Sequence, residues 1–133
     1  MSKKIMFFLA GILLLTIILL TIQPWYQKPF KDIEAADIES ATVQLIPPDV
    51  TLTLDEEVVN TLVELLHTVE IGREDDTYFE LVGQSVIYTI TMTDGTILNI
   101  NAVNPYIGIN GVGYLCRGDA SDALGRLGNR IRQ

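Results

Sequence analysis

The chain opens on a stretch with neither charge nor alternation. Ile5 to Ile22 reads IMFFLAGILLLTIILLTI, apolar on every side of any helix it forms. At about 1.5 Å of rise per residue, this run spans roughly 27 Å, close to the hydrocarbon thickness of a bilayer. A helix apolar all round suits lipid better than the core of a small domain. Residues 1–23 are therefore expected to be a transmembrane signal-anchor. Pro24 ends the run, and Trp25 and Tyr26 suit the membrane interface. A cleaved signal would have a shorter apolar stretch and a small-x-small site, which Thr21 to Trp25 do not offer. No cysteine follows the run to carry a lipid. Residues 24–32 include two prolines and show no periodicity, as a juxtamembrane linker would.

From residue 33 the pattern changes to that of a folded domain, 33–133. In Ile38 to Ile46, Ala41, Val43 and Leu45 alternate with Ser40, Thr42 and Gln44, the period of a half-buried strand. Pro47, Pro48 and Asp49 interrupt it, and Val50 to Leu54 alternates again, so the two form a hairpin. Thr53-Leu54-Asp55-Glu56 fits a capping box, with Asp55 as the alternative cap. The helix that follows runs to about Val69 with Val58, Leu62, Leu65, Leu66 and Val69 on one stripe. Val69 to Gly72 leads into a short strand, and Arg73 to Asp76 reads as a polar loop. Two alternating runs then flank Asp94-Gly95, and two shorter ones flank Asn110-Gly111. Asp119 or Ser121 caps a last helix striped by Ala120, Ala123, Leu124, Leu127 and Ile131. Gly125 and Gly128 weaken this helix by roughly 1 kcal/mol each relative to alanine. Its basic end, Arg126, Arg130 and Arg132, suits the helix dipole. The fold class is α+β: ββα, then a mainly antiparallel meander, then α, with helices packed on one face of the sheet and one transmembrane helix in front.

The phase of the alternation constrains the Asp94-Gly95 turn. Tyr88, Ile90 and Met92 share a face with Leu98 and Ile100 only if paired positions sum to an even number. A two-residue loop would pair Thr93 with Thr96 and set asparagines against apolar residues. A three-residue loop, Thr93-Asp94-Gly95, pairs Met92 with Thr96 instead. That predicts a type I turn with Gly95 left-handed in a G1 bulge. The opposite face then carries Thr89, Thr91, Asn99 and Asn101, a flat, uncharged, β-branched surface and the candidate interaction face.

Charge narrows the classes of function. Of nine Lys and Arg, Lys3 and Lys4 precede the apolar run, whereas all seventeen acids follow it. Seven bases against seventeen acids leave the domain at about −10. Nucleic-acid binding is disfavoured, because its affinity comes largely from neutralised phosphates. Docking onto an anionic lipid surface is disfavoured too. The lysines on a very short N-terminal tail favour a cytoplasmic N-terminus and a domain outside, against the weaker opposing bias of Lys28 and Lys31.

No segment carries a catalytic, cofactor or metal signature. Cys116 is alone, which rules out an internal disulfide, and one Cys with one His is a poor zinc set. Burial as a small hydrophobe is the expectation for it. His67, the only histidine, lies off the apolar stripe, and a Cys116–His67 thiol pair has no support beyond the presence of both residues. Glu74, Asp75, Asp76 and Glu80 lack the spacing and glycine of an EF-hand loop. The run GINGVG, from Gly108 to Gly113, is not a dinucleotide fingerprint, since no capped helix follows it directly. It reads as hairpin chemistry.

Two stretches, FKDIEAADIESATVQLIPPD from Phe30 to Asp49 and GQSVIYTITMTDGTILNINAVNPYIGINGVGYLC from Gly83 to Cys116, resemble small single-pass membrane-anchored extracytoplasmic proteins of Gram-positive bacteria. Similar domains occur beside membrane metallopeptidases of the antibiotic-sensing type. The chain has no HExxH, so the resemblance implies location and no protease chemistry. The expectation is a non-enzymatic interaction or sensing module, held in the cell membrane by its N-terminal helix and meeting a protein partner of the envelope. The alternatives are a cell-surface hydrolase acting on envelope material and an accessory subunit of a membrane complex.

Overall fold

A computed structural model describes residues 2–22, 26–46, 49–80 and 85–131, with the side chains of 19–22 and 80 outside that description. The apolar run forms α1, Lys3–Ile22. Its described side chains, Lys3 to Ile18, are all exposed, Phe7 at 78% and Phe8 at 69%. Over the described residues no helix is long and apolar enough to cross a membrane. The backbone of α1 nevertheless continues to Ile22, twenty residues in all. Pro24 and Trp25, the expected membrane exit, lie outside the described residues.

Seven strands make the sheet: β1 Ile38–Ile46, β2 Val50–Thr53, β3 Glu70–Glu74, β4 Ser85–Met92, β5 Ile97–Val103, β6 Tyr106–Ile109 and β7 Val112–Arg117. Their order is β2-β1-β4-β5-β6-β7-β3, and every pairing is antiparallel. The hairpin across Pro47-Pro48-Asp49 pairs Leu45 with Val50, though the two prolines themselves lie outside the described residues. The meander β4 to β7 forms as expected. The β4–β5 register has the even sum that the three-residue loop demands, with Tyr88 opposite Ile100. The Met92 amide donates to the Thr96 carbonyl at 2.8 Å, the Gly95 amide returns to the Met92 carbonyl at 3.0 Å, and Gly95 has φ +89°. At the next turn Asn110 and Gly111 adopt φ 49° and 86°, the two positive values a two-residue type I′ hairpin requires.

The expectations for the start of the helix after β2 and for the end of β3 need correction. Asp55, not Thr53, caps α2 (Glu56–His67): its Oδ1 accepts from the Val58 amide at 2.9 Å, while Thr53 is held in β2 opposite Thr42. The Arg73–Glu74 part of the expected polar loop is strand, because β3 extends along β7 to bring Glu74 opposite Tyr114, past an irregularity in register.

Helices α2 and α3 (Ala120–Ile131) pack on the apolar face. Leu62 and Leu66 of α2 and Leu124 and Leu127 of α3 share one core with Val43, Tyr88 and Ile100. Each such leucine contributes about 1.5–3 kcal/mol by leaving water. Val63 is also buried, although it falls outside the expected stripe. Ser121 does not act as a cap; its hydroxyl donates to the Tyr106 carbonyl at 2.6 Å and ties the start of α3 to β6. Tyr88 crosses the core to donate to the Leu124 carbonyl at 2.6 Å, so the sheet and α3 are joined by a buried hydrogen bond as well as by packing.

The segment 24–32, read above as a linker, is docked along its described part. Gln27 exchanges two backbone hydrogen bonds with Ile71 on β3, each 2.8 Å. Phe30 is buried in the main core. Tyr26 lies against Gly72, close enough that a Cβ there would sit 3.2 Å from its ring, and the Arg117 guanidinium stands 5.0 Å from its centroid.

Candidate interaction face

Side chains alternate across the sheet, so whatever is not on the helix side projects to the other face. There β1 presents Ser40, Thr42, Gln44 and Ile46, and β2 presents Thr51 and Thr53, as the register to Ile90, Tyr88 and Val86 on the covered side requires. Strand β4 adds Ile87, Thr89 and Thr91, and β5 adds Ile97, Asn99 and Asn101. None of these side chains is charged. In a domain with seventeen acids, that is a segregation of polarity.

The four residues singled out from the sequence do lie on this one face. Thr89 pairs directly with Asn99, and Thr91 with Ile97. Thr89 and Thr91 are half-buried and Asn99 is exposed. Asn99 is braced from the side: its amide donates to the Asn110 side-chain oxygen, and its carbonyl accepts from the Asn110 amide, both at 2.8 Å. Asn101 differs from the other three. Its Nδ2 donates to the Tyr78 hydroxyl at 2.7 Å, and its Oδ1 is buried with no partner among the described residues. Asn101 therefore marks the boundary of the open surface and is not at its centre.

Tyr78 makes that boundary. It belongs to a short 3-10 helix, Asp76–Glu80, begun by the Asp75 carboxylate accepting from the Thr77 amide at 3.0 Å. Its ring lies on two glycines paired across β6 and β7, Gly108 and Gly113. A Cβ on Gly108 would come 2.3 Å from the Tyr78 hydroxyl oxygen, and one on Gly113 would come 2.5 Å from the Tyr78 Cβ. The glycines of GINGVG thus do more than turn a hairpin: Gly111 turns it, while Gly108 and Gly113 make a floor for an aromatic ring. Burial pushes the Tyr78 hydroxyl above its ordinary pKa, with the Asn101 hydrogen bond opposing. Phe79 stands edge-on to Tyr78 at 5.0 Å and is itself 54% exposed.

The 3-10 helix covers the β6–β7 half of this face. Among the described residues, no helix or strand lies over the β2-β1-β4-β5 half. Ile46 and Ile97 are exposed on it, Ile97 at 60%, and Phe79 borders it. Sequence reasoning missed these three apolar residues and the contribution of β1 and β2. The alternation of β1 carried the signal, because Thr42 and Gln44 share a parity and β1 is the neighbour of β4.

Cys116 is buried in the main core, and burial raises its thiol pKa. His67 is exposed on α2, with Nε2 2.6 Å from the Ile33 carbonyl oxygen, to which it donates. No group of three metal-ligating side chains forms among the described residues. A cavity of about 480 Å³ between β1 and α2 has Glu39 and Glu56 at its rim, both exposed. Compared with known proteins, the chain matches no family model, no curated protein and no solved structure.

Proposed function

We propose that the protein is a membrane-anchored, extracytoplasmic interaction module, non-enzymatic, whose open sheet face binds a protein partner of the cell envelope. The observation that carries this reading is the uncharged surface on β2, β1, β4 and β5, rich in threonine and asparagine and bearing exposed Ile46 and Ile97. Flat β-branched surfaces of this composition bury well against a partner, since the one carboxylate that touches a side chain of the face, Asp49, already accepts from Gln44 Nε2 at 2.8 Å. Rigidity supports the reading as well: the face is built on strands whose opposite side is a filled core, so little order is lost on binding.

Location is supported by α1. A twenty-residue helix with no charge after Lys4, and with its described apolar side chains exposed, suits lipid. Its full length of about 30 Å matches the hydrocarbon layer. Lys3 and Lys4 favour a cytoplasmic N-terminus.

Two experiments test the proposal. A photo-crosslinking residue at Thr91 or Asn99 should give one discrete adduct in intact cells, and Thr42→Lys with Thr89→Lys should abolish it without unfolding the domain. Adducts that form equally from Arg126, on the far side of the molecule, would sink the assignment of the face. For topology, Asn129→Cys in a Cys116→Ala background should react with a membrane-impermeant thiol reagent in intact cells. Protection until lysis would reverse the orientation.

A further inference from the structure

The docked segment before β1 has a consequence for how the domain meets the membrane. Ile22, the last residue of α1, and Tyr26, the first docked residue, are four peptide links apart. Fully extended, that is at most about 14 Å. From Tyr26 onward the chain is tied down. Its ring lies on Gly72 under Arg117, Gln27 is paired on both sides with Ile71, and Phe30 is in the core. The tether is therefore short and its far end is immobilised on one edge of the sheet. We propose that the β3 edge of the domain rests against the phospholipid headgroups, held by this strap, with the β2 edge and the open half of the sheet directed away from the bilayer. The proposal rests on the reading of α1 as a membrane anchor.

Charge supports an upright stance over a domain lying flat. From Asp32 to Val69, the segment holding β1, β2 and α2, the chain has nine acids and no Lys or Arg. Anionic headgroups repel that side. Four of the domain's bases, Lys28, Lys31, Arg73 and Arg117, belong instead to the strap or to β3 and β7. Of the five acids from Glu70 to Glu80, Glu70 is paired with both Lys28 and Arg117, at 3.7 and 3.8 Å, and Asp75 with Arg73 at 3.6 Å, and four bases against five acids leave this end near neutral. Six inter-strand steps of about 4.8 Å separate β3 from β2, so the two edges stand roughly 29 Å apart. An upright domain carries its partner-binding half well clear of the lipid, whereas one lying on its open sheet face buries it.

The test uses the full chain in vesicles of mixed zwitterionic and anionic phospholipid, some bearing a headgroup quencher. Single fluorophores are placed at Glu74→Cys on β3 and at Thr51→Cys on β2, each with Cys116→Ala. The β3 probe should be quenched several-fold more than the β2 probe. A flexible Gly-Ser spacer of about ten residues inserted after Pro24 leaves anchor and strap intact and should erase most of that difference. Equal quenching of both probes in a chain that resists carbonate extraction overturns the docking alone. Release by carbonate overturns the anchor and the docking together. An unchanged difference in the spacer variant overturns the short strap as its cause.

Discussion

At Gly125 and Gly128 the same residue type, one turn apart on α3, has opposite meanings. A Cβ at Gly125 meets nothing within 4 Å, whereas one at Gly128 would lie 2.5 Å from Val86 Cγ1 and 3.3 Å from Leu45. Gly125→Ala should stabilise the domain by about 0.5–1 kcal/mol through helix propensity. Gly128→Ala should cost about 1–3 kcal/mol by lifting α3 off the sheet. Urea midpoints of the two variants check both signs. Sequence alone treats the two glycines alike, because propensity is local and the approach of Val86 is not. Asp94 is a residue whose role titrates. Its Oδ1 accepts from the Thr96 amide at 2.8 Å, and the hydrogen bonds from Thr96 hold its carboxyl below the ordinary value. A folded-state pKa below the unfolded one adds stability above the unfolded value of 3.8. That increment disappears as pH falls through the folded value. Thermal melts should therefore find Asp94→Asn less stable than the native chain at neutral pH, with the gap closing in strong acid. A gap that stays constant with pH would remove the carboxylate charge as its origin.

Among elements, those with a strict period were legible and the aperiodic one was not. Strand parity located β1, β4 and β5 and even selected the three-residue turn, because a register slip of one would have turned asparagines into the core. The same parity put Thr89, Thr91, Asn99 and Asn101 on one face. The Asp76–Glu80 helix has no such pattern, and it decides where the open face ends. Its attachment depends on a tyrosine meeting two glycines, Gly108 and Gly113, thirty or more residues away in sequence. Gly113→Ala should cost about 1–3 kcal/mol by displacing that ring. In a Tyr78→Ala background the same change should cost far less, and the difference measures the coupling. Chemical denaturation of the four proteins of the cycle gives it directly. Equal costs in both backgrounds would mean that the glycines serve β6 and β7 alone.

For the whole molecule, the boundary between the N-terminal helix and the domain is where sequence and structure part most. Hydropathy and prolines suggest a break at residue 32, because QPWYQKPFK has no period to extend into the domain. The structure moves the domain's start back to Tyr26 at least, since nothing in a nine-residue pattern reveals that Phe30 fills the core or that Gln27 pairs with β3. The strap also protects that edge of the sheet, which would otherwise offer unpaired backbone groups at Ile71. Removing it exposes a buried phenyl ring's cavity, worth about 2–3 kcal/mol in burial alone. It also breaks two backbone hydrogen bonds at a net of roughly 0.5–1.5 kcal/mol each. A chain beginning at Ile33 should therefore be about 3–5 kcal/mol less stable than one beginning at Tyr26, a large share of the stability of a domain this size. Urea unfolding of the two truncated chains, followed by circular dichroism, measures the gap. Coincident midpoints would return residues 26–32 to the status of a tether and, with it, free the domain to turn relative to α1.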